Sequence, residues 1–152
     1  MGPLISENEA VRVEEWLKEA REKGADVYGG ERVGSIIHRA IVTNVSKDMK
    51  VVCEEVFAPV IGITSYEEIE DAFNMANDTP YGLQAGVFTT NLTIAMDASY
   101  KLNFGGVIIN DVSTYRADVM PYGGIKNSGV GKEGPHYAIQ EMTDERIIVI
   151  NL

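Results

Sequence analysis

Met120-Pro121-Tyr122-Gly123-Gly124-Ile125-Lys126-Asn127-Ser128-Gly129-Val130-Gly131-Lys132-Glu133-Gly134 is the segment on which the reading of this chain turns. It holds five glycines, a proline, and the charged side chains Lys126, Lys132 and Glu133. Gly-Gly and Ser-Gly pairs mark backbone that turns tightly or approaches another group closely. Composition alone makes the segment a solvated surface loop. Further upstream, Cys53-Glu54-Glu55-Val56-Phe57-Ala58-Pro59-Val60 sets a carboxylate, Glu55, two residues before an aromatic and four before a proline.

Between and around these segments the chain alternates helical and strand-like patterns, which predicts an α/β fold with an open, mostly parallel sheet flanked by helices. The first helix starts at Ser6, where Ser6 and Glu9 have capping-box spacing, and stops at Gly24. Val13, Trp16, Leu17 and Ala20 give it one apolar face, with Trp16 as a core anchor. Residues 25–28 and 36–43 read as strands on either side of Gly29-Gly30. Residues 56–64 read as a strand. Ser65 and Glu68 offer a second capping box for a helix carrying Ile69, Ala72, Phe73 and Ala76. Residues 83–89 form the next strand, a helix runs from about Leu92 to Leu102, and Val107 to Asn110 is a short strand after Gly105-Gly106. Ligands of such sheets gather at the carboxyl ends of the strands.

The 152 residues are enough for one domain with a core. A net charge of −10 disfavours nucleic acid and anionic membrane surfaces as partners, since both are polyanions. No apolar run has the length of a membrane span, and Met1 is followed by Gly-Pro and a charged helix rather than a signal peptide. The single cysteine excludes an internal disulfide and fits a reducing compartment, so a cytoplasmic location is expected. His38 and His136 are isolated, so no metal site is expected.

Glu55-Val56-Phe57-Ala58-Pro59 and the run from Pro121 to Glu133 together resemble the E-x-F-[GA]-P and P-[FY]-G-G-x-K-x-S-G-x-G-[RK]-E motifs of the aldehyde dehydrogenase superfamily. Their order and separation agree, as does Asn77-Asp78-Thr79-Pro80-Tyr81-Gly82-Leu83 between them. The resemblance departs at Arg39-Ala40-Ile41-Val42, where P-T-[VI]-L is usual. It implies that residues 1–145 are the C-terminal segment of a catalytic domain and 146–152 an oligomerisation strand. The family's nucleophilic cysteine, in a G-Q-x-C context, and its cofactor-binding half lie upstream of the segment that this chain resembles. The implied activity is that of a fragment of an NAD- or NADP-dependent enzyme, a homo-oligomer, that oxidises a small aldehyde to a carboxylate. The fragment alone is expected to be inactive. A non-enzymatic assembly or binding domain derived from the same fold is the alternative.

The resemblance assigns no catalytic residue within this chain. It makes Glu55 the acceptor for the nicotinamide ribose hydroxyls, a task for which a carboxylate has the lone pairs. Otherwise the Glu54-Glu55 pair is a solvated turn. Phe57 maps onto the aromatic beside the nicotinamide, or is a plain core residue, and Leu83 maps onto a leucine near the same ring. Asn110 falls where a loop lines the substrate tunnel. Arg116 offers a planar cation for a carboxylate or phosphate on the substrate. The other reading of Arg116 is a surface salt bridge to Asp111 or Asp118. Cys53 sits past the nucleophile's place in the chain order, beside two carboxylates that oppose thiolate formation, and reads as an incidental thiol. Arg146-Ile147-Ile148-Val149-Ile150-Asn151-Leu152 is an apolar strand-like run that would be an adhesive edge unless paired, either with this chain's own sheet or, as the resemblance implies, with a neighbouring subunit.

Overall fold

Helix α1 (Glu7–Glu22) begins where the sequence predicts, because Ser6 is extended and its Oγ accepts the Glu9 N–H at 3.2 Å. This computed structural model describes residues 2–152, in two compact units, one ending at Tyr66 and one spanning Glu67–Leu152. In the first unit, Ala10, Val13, Leu17 and Ala20 recur every three or four residues and are fully buried. The helix stops just before Gly24, whose φ of +97° a side chain would resist. The apolar face of α1 packs into one core with Ile37, Ala40, Val42, Met49 and Val51.

That core is floored by a three-stranded sheet of β1 (Asp26–Gly29), β4 (Ala40–Thr43) and β5 (Val60–Gly62), in the order β1-β4-β5. β1 runs antiparallel to β4, and β4 runs parallel to β5. The short helix α2 (Lys50–Cys53) lies in the β4-to-β5 connection. A separate hairpin pairs β2 (Arg32–Val33) with β3 (Ile36–Ile37). At the end of α1, Lys23 Nζ sits 3.0 Å from both Glu19 and Asp48. Asp48 also accepts from Ser46 Oγ at 2.5 Å. The Ser46 hydroxyl first, and then the Lys23 ammonium, hold the Asp48 carboxyl down at about 2.

The second unit opens with α3 (Ile69–Asn77), followed by β6 (Gln84–Val87), α4 (Leu92–Lys101) and β7 (Gly106–Ile109). β6 and β7 are parallel, with Gln84 opposite Gly106 and Val87 opposite Ile109, so β6-α4-β7 is a βαβ unit. Asn91 Oδ1 caps α4 by accepting from Thr93 and Ile94 N–H. Phe73, Ala98 and Leu102 form the buried core, with Ile94, Ala85 and Val107 packed against it. A 3-10 turn (Lys126–Ser128) and α5 (Pro135–Glu141) follow.

The α/β alternation is present, but the single open, mostly parallel sheet is not: the strands form three small sheets, with parallel pairing only in β4-β5 and β6-β7. The strand expected over 36–43 is split, because His38 N–H turns back to Glu31 O and closes the hairpin. The strand expected over 56–64 shrinks to Val60–Gly62, since Phe57 has a φ of +47°, which no strand contains. Ser65 does not cap α3: Glu68 stands at the N-cap without a side-chain bond, and the helix starts at Ile69. Residues 143–152, including the run 146–152 read as an oligomerisation strand, form neither helix nor strand here and are exposed. Among the described residues no helix is long and apolar enough to cross a membrane.

Candidate functional site

The first candidate region is the segment between α2 and β5. Val56 and Ala58 pack against the core, while Phe57 between them is 79% exposed. A phenylalanine in the left-handed region is strained by Cβ and persists only where the surroundings dictate it. Arg12 on α1 reaches the segment just before Phe57, its Nη2 donating to Val56 O at 2.9 Å. Arg12 is itself oriented by Glu9, 2.8 Å from its Nε, and by the Trp16 ring, whose centroid is 4.2 Å from its Cζ. Glu55 is exposed, and its carboxylate enters no hydrogen bond or ion pair among the described residues. An acceptor-only group with open lone pairs therefore stands two residues from an exposed aromatic, a combination suited to a ligand that carries hydroxyls and a flat ring. Cys53 ends α2 and is half-buried.

The second region is the glycine-rich segment quoted at the outset. Tyr122 and Glu133 face each other across an isolated antiparallel bridge, with N–H···O bonds of 3.1 and 2.6 Å, and close the loop between them. The loop is tied to the Pro80–Gly82 corner by three bonds. Ile125 N–H reaches Gly82 O at 3.0 Å, Asn127 N–H reaches Pro80 O at 2.9 Å, and Gly82 N–H reaches Ser128 Oγ at 2.9 Å. Lys126 donates to the carbonyls of Asn77 and Thr79, 3.1 and 3.2 Å away at the C-terminal end of α3, where a cation suits the helix dipole. Lys132 Nζ donates to Gly123 O at 3.0 Å. Both lysines are thus engaged with main-chain carbonyls and act as struts.

Arg116 joins this loop. Its Nη2 lies 2.8 Å from Glu133 Oε2, and its guanidinium sits over the Tyr122 ring, 4.5 Å from the centroid. The expected partners Asp111 and Asp118 are not the ones used. Glu133, 17 residues away in sequence, takes their place because the bridge sets it beside Tyr122. Gln84 Nε2 donates to Tyr115 O at 3.3 Å, fixing the backbone just before Arg116, and its Oε1 is buried without a partner among the described residues. Asn110 closes β7 at a φ of +61°. Its N–H donates to Val87 O, and its Oδ1 accepts from Thr89 N–H, both at 2.8 Å.

A cavity of about 250 Å³ opens beside the loop, walled by Leu83, Tyr122, Gly123, Ser128, Lys132 and Glu133 among others. It brings Leu83 together with both partners of Arg116, while Asn110 is not among its walls. Glu55 and Phe57 belong to the first unit, and Leu83, Asn110 and Arg116 to the second. Sequence reasoning missed Arg12. The available signals were its i,i+3 spacing to Glu9 and its i,i+4 spacing to Trp16, which place a carboxylate, a cation and an aromatic on one helix face. No group of three His, Cys, Asp or Glu side chains among the described residues could hold a metal ion.

The family model described as "Aldehyde dehydrogenase family" matches residues 1–148. The 3-sulfolactaldehyde dehydrogenase of Priestia aryabhattai is 56% identical, over all of this chain and 32% of its own length. The lactaldehyde dehydrogenase of Methanococcus vannielii is 43% identical, over 99% of this chain and 32% of its own length. The chain therefore spans about a third of the length of the curated relatives it matches. Among solved structures, aldehyde dehydrogenase 21 of Physcomitrella patens, in complex with its reaction product succinate, superposes with a TM-score of 0.91 at 40% identity. That match covers 93% of this chain and 30% of the other. The glyceraldehyde-3-phosphate dehydrogenase of Methanocaldococcus jannaschii, complexed with NADP, gives 0.89 at 40% identity, over 94% and 31%.

Proposed function

This chain belongs to the aldehyde dehydrogenase family, and from that membership we propose that it is the C-terminal part of a catalytic domain that oxidises a small polar or anionic aldehyde to its carboxylate. The observation that carries the reading is the 56% identity, over the whole chain, to an enzyme named for 3-sulfolactaldehyde, a three-carbon aldehyde that bears an anion. Arg116, steadied by Glu133 and Tyr122, is the cation that would meet such a group. Asn110 would line the path of the substrate.

NAD or NADP would be held in part by Glu55 and Phe57. The open carboxylate of Glu55 and the exposed ring of Phe57 fit a ribose and a nicotinamide. When bound, the cofactor supplies the hydride acceptor. Glu55 would hold the ribose hydroxyls, and Phe57 would restrain the ring and exclude water; Leu83 is kept as a cofactor residue by the family resemblance alone. The nucleophilic thiol would come from upstream of the segment represented here, so the 152 residues alone should not turn over. The exposed run 146–152 would pair with a neighbouring subunit.

The reading is tested by assaying the chain alone and as part of a complete enzyme. Alone it should show no NAD(P)-dependent aldehyde oxidation above a blank, and activity abolished by Cys53→Ser would overturn the assignment of that thiol. In the complete enzyme, Arg116→Ala should lower kcat/KM for an anionic aldehyde about tenfold relative to a neutral one of equal size. That is the low end for a charge-assisted hydrogen bond, chosen because the Arg116 side chain is 47% exposed. An unchanged ratio would reduce Arg116 to a surface ion pair.

A further inference from the structure

We infer that Arg12 is a positioning residue for the cofactor-binding segment, a clamp by which helix α1 sets the conformation of Glu55-Val56-Phe57. The inference rests on the reading of Glu55 and Phe57 given above, but its structural half stands on contacts within one unit. Phe57 occupies a backbone region that disfavours every residue with a Cβ, and Val56 and Ala58 face the core on either side of it. A bend of that kind needs a fixed point immediately before it. Val56 O supplies the fixed point, accepting from Arg12 Nη2 at 2.9 Å.

The clamp has the features of a rigid one. A guanidinium is planar and presents donors along several edges, so one edge can be oriented while another works. Here Nε is held by Glu9, the plane lies over Trp16, and Nη2 is left to reach the segment. Trp16 is anchored in turn by packing against the core. All three side chains project from one stretch of α1, at positions 9, 12 and 16, whose spacings of three and four place them on a single face. The bond goes to a main-chain carbonyl, so it fixes backbone direction and leaves the side chains of Glu55 and Phe57 outward for a ligand.

The test compares Arg12→Met and Arg12→Lys with wild type by two readouts. The first is spectroscopic and uses the 152-residue chain: the Cα and Cβ chemical shifts of Phe57, which report left-handed against extended backbone. The second uses the complete enzyme: the dissociation constant for NAD or NADP, set against KM for the aldehyde. Arg12→Met should move the Phe57 shifts toward extended values and weaken cofactor binding about tenfold, with aldehyde KM changed less than twofold. Arg12→Lys keeps a charged donor but cannot serve Glu9 and Val56 from one rigid plane, so it should fall between. Should Arg12→Met fail to fold, Arg12→Lys decides by the same readouts. Phe57 shifts identical to wild type would overturn the clamp. So would shifts that move while cofactor and aldehyde constants change together, which would mark Arg12 as merely structural. If Glu55→Gln leaves cofactor binding untouched while the Phe57 shifts still respond to Arg12, the reading of Glu55 fails and the clamp on the backbone survives.

Discussion

The two units are held together by different means. In the first, ten buried apolar residues converge on α1, and the segment that bears Glu55 and Phe57 is pinned from that helix. In the second, the buried apolar cluster is just Phe73, Ala98 and Leu102, and the glycine-rich loop is fastened by main-chain bonds and by lysines that reach carbonyl oxygens. One unit depends on filled volume, the other on backbones that come close together. The first should therefore fail when atoms are removed, and the second when a single carbon is added.

The largest effect is expected in the first unit. Leu17 is 1% exposed at the centre of its core. Leu17→Ala should cost about 3 kcal/mol, within the usual 2–5 for such truncations, while the volume-conserving Leu17→Met should cost less than about 1.5. Denaturant midpoints at unchanged m-value would measure both, and a loss below about 1 kcal/mol for Leu17→Ala would erase the contrast.

In the second unit the corresponding change adds a methyl. A Cβ on Gly105 would overlap the carbonyl oxygen of Gly123 and press on Leu83 O, both of them backbone atoms. Gly105→Ala should cost about 2 kcal/mol, as overpacking commonly does. It should also speed hydrogen exchange at the Ile125 N–H, whose bond to Gly82 O belongs to the same contact. Protection unchanged at Ile125 would show that the loop does not need the close approach.

The smallest effect separates the units by pH. Asp48 has its folded-state carboxyl depressed from 3.8 to about 2. A depressed pKa contributes stability that is fully present above the unfolded value and disappears as pH falls through the folded one. The contribution from Asp48 should therefore fade between about pH 4 and pH 2. Asp48→Asn should flatten the dependence of the unfolding midpoint on pH across that window. The main-chain ties of the second unit carry no proton there. An equal slope in wild type and variant would remove Asp48 from the account.

The same division explains what could be read from sequence. α1 was legible because its signals are local: a serine three residues before a glutamate, apolar residues at helical spacing, and a glycine at the stop. The two long motifs were legible as patterns, and with them the family. The strand boundaries near 36–43 and 56–64 were not, because one is cut where His38 N–H turns back to Glu31 O and the other by the left-handed backbone at Phe57, neither of which has a local sequence signal. The short helix α2 depends on tertiary packing, through Val51 in the core, more than on propensity. Pro135 at the first turn of α5 was a usable start signal that went unread. Arg116 was found, but its partner was not, since the pairing depends on a bridge that closes a loop.

Lys126 bears on how such a chain can diverge. Arg116 and Glu133 are side chains that answer each other, so a change in one can be met by a change in the other, and a collection of related sequences can record them as a correlated pair. Lys126 binds the main-chain oxygens of Asn77 and Thr79, which every residue type supplies. No substitution at 77 or 79 removes those oxygens, and none can compensate for the loss of the ammonium. The hydrogen bonds between the glycine loop and the end of α3 therefore leave no covarying partner at 77 or 79, and statistics of paired substitution at those positions would miss them however many relatives were compared.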